Sequence, residues 1–172
     1  MKKKNVIKTR RYESPCGTLL LGSFGDKLCL CDWQIEKHRG HVDRRLKRIL
    51  NAEFEEGTSE VIEQAVRQLD EFFAGKRKVF DMPLLFVGTD FQKKVWRELL
   101  NIPFGETISY KEMARRIGLP TAVRAVANAN GANSVSIFAP CHRVIGSDNS
   151  LTGYGGGLAA KEKLLKLEGF LY

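Results

Sequence analysis

Cys141 stands between Pro140 and the pair His142-Arg143, inside the run Ser-Val-Ser-Ile-Phe-Ala-Pro-Cys-His-Arg-Val over residues 134–144. A thiol flanked by positive or ionisable groups gives up its proton more readily than an isolated one, and the thiolate is the nucleophile. The expectation is a Cys141 thiol held below its ordinary pKa of about 8.5 by the histidine and arginine beside it. Val135, Ile137 and Phe138 lean towards strand. Proline has no N–H for a ladder and a fixed φ, so that strand should end at Pro140. Adjacent residues on a regular strand face opposite ways. Cys141 and His142 can therefore cooperate only across a turn or through a water. The competing reading is a buried cysteine used as a small hydrophobe.

Cys16, Cys29 and Cys31 complete a set of four cysteines, read as reduced thiols rather than a disulfide framework. Two positions apart on an apparent strand, Cys29 and Cys31 are expected to share a face. With His38 and His41 they supply ligand types that zinc accepts, but the spacing matches no standard zinc pattern, and packing is the favoured reading.

The elements that must position Cys141 follow from the pattern around it. The 172 residues suffice for one large domain or two small ones, and 43 % apolar with 28 % charged residues is the balance of a globular chain. No apolar run approaches the ~20 residues of a membrane span, and the basic start Met-Lys-Lys-Lys is not followed by a signal-peptide core. An intracellular protein is expected. A net charge of +8 points to a polyanionic partner, nucleic acid above all.

Residues 8–32 read as short strands: a turn at 12–17, a strand at 18–24, a hairpin at 25–27 and a strand from 28. Helical spacing covers 42–51 and 59–73, with Val61, Ile62, Ala65, Leu69, Phe72 and Phe73 as an apolar stripe. Residues 79–87 read as extended. A helix capped by Thr89 or Asp90 should end before Pro103. Ser109 caps another through Ile117, with Glu112 at capping-box distance, and a further helix spans 121–130. The last two, joined by Gly118-Leu119-Pro120, read as a helix-turn-helix.

Pro140-Cys141-His142-Arg143-Val144 resembles the active-site signature of the O6-alkylguanine-DNA alkyltransferases, also called methylated-DNA–protein-cysteine methyltransferases. The likeness continues in Thr89-Asp90-Phe91-Gln92, in Ile102-Pro103-Phe104-Gly105-Glu106-Thr107-Ile108-Ser109-Tyr110 and in Arg124-Ala125-Val126-Ala127. It ends in Leu151-Thr152-Gly153-Tyr154-Gly155-Gly156-Gly157-Leu158 and Leu167-Glu168-Gly169, covering nearly the whole C-terminal half in one order. The resemblance implies an α/β, ribonuclease-H-like supporting domain over residues 1–87. Residues 88–172 would form a mainly α, winged-helix-like helix-turn-helix domain for DNA binding and alkyl transfer.

That resemblance also implies the roles. Cys141 is the nucleophile, His142 its base through a water, Glu168 the group that orients the histidine, and Asn133 the brace of the turn. Arg124 fills the gap left by a flipped base, Tyr110 crowds the nucleotide's phosphate, and Lys111 and Ser147 contact the backbone. Tyr110, Tyr154, Val144, Gly155 and Gly156 form the pocket for the base. The implied partner is double-stranded DNA containing O6-alkylguanine, with O4-alkylthymine left open. The implied protein is a cytoplasmic monomer that works without cofactor, metal or membrane, and a thioether product makes it single-turnover. Ser134 stands where the family usually has proline, and Ala139 where it has a branched aliphatic residue. The alternatives are a lesion-binding DNA regulator that transfers nothing and a cysteine hydrolase, which would need an oxyanion hole.

Overall fold

The computed structural model describes residues 4–148 and 154–170, without the side chains of residues 36–38. The N-terminal half is a four-stranded sheet in the order β3-β2-β1-β4, built from β1 (Asn5–Ser14), β2 (Gly17–Phe24), β3 (Lys27–Trp33) and β4 (Ala52–Glu56). Two hairpins pair β1 with β2 and β2 with β3, while β4 joins β1 in parallel. Helix α1 (Glu36–Leu50) sets Val42 and Leu46 against one face of the sheet, with Ile7, Cys29 and Leu30. Helix α2 (Glu60–Phe73) presents Val61, Ile62, Ala65, Leu69 and Phe72 to the other face, among Tyr12, Leu19, Leu21 and Cys31. Ser59 caps α2 by accepting from the Ile62 amide.

Three sequence readings change here. Tyr12 to Ser14 belong to β1, so the first turn is only Pro15-Cys16. The strand β4 and the helix α6 (Leu158–Leu167) carry no sequence assignment of their own, and α1 starts six residues before the expected position. Cys29 and Cys31 do not share a face. The register slips between Gly22 and Ser23, leaving Cys29 as the extra residue of a β-bulge, so Cys29 and Leu30 face α1 while Cys31 faces α2. Two thiols on opposite sides of a sheet cannot ligate one ion. Among the described residues no cluster of three His, Cys, Asp or Glu is placed to hold a metal, and the His38 side chain lies outside them.

The C-terminal half holds α3 (Asp90–Leu99), α4 (Tyr110–Arg116), α5 (Val123–Gly131) and α6, with a two-stranded parallel pair of β5 (Ile108–Ser109) and β6 (Val144–Ile145). Thr89 and Gln92 close a full capping box on α3. Ser109 caps α4, but Glu112 leaves the box open and pairs instead with Arg115 and Arg116. One apolar cluster runs unbroken from the α2 face of the sheet through Trp96, Val126, Val135, Phe138 and Cys141. Arg45 of α1 donates to the Val87 carbonyl (2.9 Å) and, across to the other half, to the Ala132 carbonyl (2.7 Å). Among the described residues no helix is long and apolar enough to cross a membrane.

Candidate active site

The free edge of β3 receives the loop that carries Cys141. The Cys31 amide donates to the Ser134 carbonyl at 2.8 Å, the Ser136 amide to the Cys31 carbonyl at 2.7 Å, and the Ser134 hydroxyl to the Cys29 carbonyl at 3.1 Å. Asn133 staples the loop from within. Its side-chain oxygen accepts from the Val135 amide (3.0 Å), and its side-chain N–H donates to the Ala139 carbonyl (2.9 Å). The strand expected up to Pro140 is not formed: Val135, Ser136 and Ala139 make only isolated bridges, with a turn at Ile137-Phe138 reversing the chain between them, and Cys141–Arg143 then form a single 3-10 turn before β6 begins.

The turn sends three neighbouring side chains to separate tasks. His142 is fully buried, with Nε2 2.7 Å from Glu168 Oε2. Arg143 reaches the same carboxylate with Nε (2.8 Å) and Nη2 (3.0 Å), and donates with Nη1 to the Ile102 carbonyl (2.6 Å). The Gly105 amide supplies a fourth bond to Glu168 at 3.0 Å. Gly105 sits at φ 82, a left-handed conformation that glycine takes without penalty. Burial pushes the Glu168 carboxyl up, but the His142 and then the Arg143 contacts outweigh it and hold it at about 2. Burial likewise pushes His142 down, so the ring is neutral at pH 7. An ionised Glu168 can only accept, which puts the histidine proton on Nε2. Nδ1 is left as a lone pair with no hydrogen-bond partner among the described residues. A neutral imidazole so oriented is a base.

Cys141 departs from its expectation. It is on the turn, but only 3 % exposed, and burial pushes its thiol up rather than down. The positive neighbours that should have lowered it are spent elsewhere: Arg143 on Glu168, His142 neutral. Hydrogen bonds from Asn133 and Ser136, and the Lys161 charge, work against the burial without overcoming it. The resting group is a thiol, and a base must take its proton. A cleft of about 640 Å³ opens behind the turn, walled by Phe80, Phe104, Phe138, Pro140 and Arg143 but not by Cys141.

Two residues that the sequence left without a role, Trp33 and Lys161, pack against the expected pocket residues. Trp33, at the end of β3, meets Tyr154 edge-on with ring centroids 5.8 Å apart, and the Tyr154 hydroxyl is buried without a hydrogen-bond partner among the described residues. Gly156 passes so close that an added Cβ would sit 2.6 Å from the Trp33 indole. Lys161 of α6, fully buried, donates to the Val144 carbonyl at 2.7 Å and lies 5.8 Å from the Tyr110 ring centre. Burial lowers its ammonium to about 8. Tyr110 is buried at the first turn of α4, while Gly155 is half-buried. No local pattern in the sequence marks Trp33 or Lys161, whose neighbours come from elsewhere in the chain.

The exposed members of the expected set lie on the helices and the following turn. Arg124, near the start of α5, is exposed and has no ion-pair partner among the described residues; Lys111 and Ser147 are also exposed. At the other end of α5, Asn130 donates to the Cys141 carbonyl at 3.2 Å. One short helix therefore spans from Arg124 to the backbone of Cys141, a rise of about 9 Å over six residues. Residues 151–153, the start of the segment Leu151 to Leu158 in the resemblance, lie outside the described residues.

Two family models cover the chain: the ribonuclease-like domain of 6-O-methylguanine DNA methyltransferase over residues 7–86, and its DNA binding domain over residues 90–170. A methylated-DNA–protein-cysteine methyltransferase of Methanosarcina barkeri is 47 % identical over 156 residues, 91 % of this chain and 93 % of that protein. The constitutive enzyme of that name from Bacillus subtilis is 41 % identical over 93 % of this chain and 94 % of its own length. The crystal structure of Mycobacterium tuberculosis OGT in complex with DNA superposes with a TM-score of 0.78 at 43 % identity, covering 95 % of this chain and 92 % of that one.

Proposed function

The chain belongs to the 6-O-methylguanine DNA methyltransferase family, a premise from which we propose how its own residues repair DNA. It is a methylated-DNA–protein-cysteine methyltransferase, with an N-terminal domain, a C-terminal DNA-binding domain and DNA as partner. The finer reading assigns the sheet with α1 and α2 to the ribonuclease-H-like folds. It assigns α4, α5 and the β5–β6 pair to a winged helix-turn-helix, in a monomer acting in the cytoplasm.

The observation that carries the mechanism is the 2.7 Å contact between buried His142 and Glu168, beside Cys141 in one turn. O6 of guanine lies inside the duplex, so the damaged nucleotide is flipped out. Arg124 takes the vacated space, Lys111 and Ser147 hold the backbone, and Tyr110 crowds the phosphate. His142 Nδ1 takes the Cys141 proton through a water, with Glu168 fixing the tautomer. The sulfur attacks the alkyl carbon in line; the S–C bond forms, the C–O6 bond breaks, and its electron pair leaves with the guanine. Tyr110 and Tyr154 hydrogen-bond the purine, Tyr110 at N3, and the Val144 carbonyl accepts from the exocyclic amine. Gly155 and Gly156 let backbone lie against the base.

A thioether offers water no carbonyl to attack, so each molecule should act once. Incubated with a tenfold excess of O6-methylguanine duplex, the protein is expected to clear one lesion per molecule and stop, as counted by chromatography of the digested DNA. Continued clearance beyond one equivalent would contradict this.

A further inference from the structure

Ser136 is buried at 3 % exposure, with its hydroxyl oxygen 3.9 Å from Cys141 Sγ. Within the described residues that sulfur is the hydroxyl's hydrogen-bond partner. The placement is built rather than incidental. The Ser136 backbone is clamped to β3 through Cys31 at 2.7 Å, and the chain then doubles back so that Ser136 bridges Ala139. The reversal is a three-residue turn, closed by the Phe138 amide on the Ser136 carbonyl at 2.9 Å, with Ile137 at φ 74. A β-branched residue at positive φ is strained, and such strain persists only where the surroundings impose it. The strained turn is what brings residue 136 back beside residue 141.

The sulfur needs a donor there. Cationic Arg143 and neutral His142, its neighbours in the turn, are both directed at Glu168, as hydrogen bonds of 2.7–3.0 Å attest. Negative charge on the sulfur must then be met by dipoles fixed close to it, the arrangement that stabilises charge most effectively in a dry site. Asn133 is one such dipole, though its amide N–H also serves the Ala139 carbonyl. The Ser136 hydroxyl has no competing acceptor among the described residues.

We propose that Ser136 is a catalytic hydroxyl: it donates to Cys141 Sγ and holds the thiolate from loss of the thiol proton until the S–C bond forms. Ser136 keeps its own proton throughout. The thiol proton goes to His142, and the sulfur lone pair goes to the alkyl carbon as the C–O6 pair departs. The assignment rests on Cys141 being the nucleophile.

Ser136→Ala removes one oxygen from a buried site and tests it, with Ser136→Thr restoring the hydroxyl. Two rates are followed against pH for each variant: capture of iodoacetamide at Cys141, read by peptide mass, and methyl transfer from O6-methylguanine duplex. The alanine variant is expected to react about tenfold more slowly at neutral pH in both assays, given the strength of hydrogen bonds to charged groups. The deficit should close as pH rises past the thiol's titration, and threonine should recover most of it. A folded alanine variant with the wild-type profile overturns the proposal. So does a loss equal at every pH, which is what altered packing alone produces. A wild-type protein that takes no methyl from DNA, yet shows the Ser136-dependent shift with iodoacetamide, instead sinks the repair mechanism and supports the hydroxyl's role.

Discussion

Glu168→Ala is expected to destabilise the protein by about 3–5 kcal/mol, because it strips one side of a buried ion pair and leaves the other charge uncompensated. Four N–H groups converge on this carboxylate, from His142, Arg143 (twice) and Gly105, and its side chain is only 1 % exposed. Without it a buried guanidinium has no counter-charge, and His142 is free to take the wrong tautomer. Alkyl transfer should fall by about a hundredfold or more, the usual worth of a positioned base. The sign of the pH dependence follows from the carboxyl being held at about 2, below its unfolded value. Its stabilising effect is complete above that unfolded value and is lost as pH falls towards 2. Urea denaturation at stepped pH should show wild-type stability dropping steeply across this acid window, and Glu168→Gln should flatten the drop. Parallel curves for the two proteins would show that the carboxylate is not held as the geometry indicates.

Arg124→Ala is expected to slow repair of duplex DNA by about a hundredfold while leaving folding untouched. Extruding a base costs a few kcal/mol, and a side chain that fills the vacancy offsets part of it. Arg124 is exposed and makes no ion pair with the described residues, so its removal disturbs nothing internal. The discriminating comparison is the same lesion in a single strand, where less stacking has to be broken. There the loss should shrink to a few-fold. An equal loss on both substrates would make Arg124 a simple phosphate contact, and no loss on either would remove it from the DNA face.

Local signals carried the reading of several elements. The stripe of Val61, Ile62, Leu69 and Phe72 marked α2, and Thr89 with Gln92 marked the start of α3. The turn expected at Cys141 is present as the 3-10 turn Cys141–Arg143, but the strand expected before Pro140 is broken by the reversal at Ile137. What escaped depends on partners distant in the chain. The strand β4 reads Ala-Glu-Phe-Glu-Glu, whose alternation rests on only two apolar residues, Ala52 and Phe54, and it is held by the parallel edge that β1 offers. The bulge opposite Gly22 reverses the facing of every β3 residue beyond it, and with that the shared-face reading of Cys29 and Cys31 fails.

The thiol's pKa was misjudged for a similar reason. Sequence places His142 and Arg143 beside Cys141, but only the fold turns both towards Glu168, 25 and 26 positions away, and buries the sulfur. Proximity along the chain is not electrostatic proximity. Ser136 shows the converse: its hydroxyl reaches the sulfur because of a reversal at Ile137 that no β-branched residue would be expected to make.

The claim on which the rest depends is that the Cys141 sulfur ends up bonded to the carbon it removed from DNA. The direct measurement is the mass of the intact protein after incubation with an O6-methylguanine duplex, followed by peptide mapping. A gain of one methyl group, confined to the peptide containing Cys141 and absent from Cys141→Ala, is the predicted result. A methyl found on Cys16, Cys29 or Cys31, or no change in mass while the lesion disappears from the DNA, would contradict it.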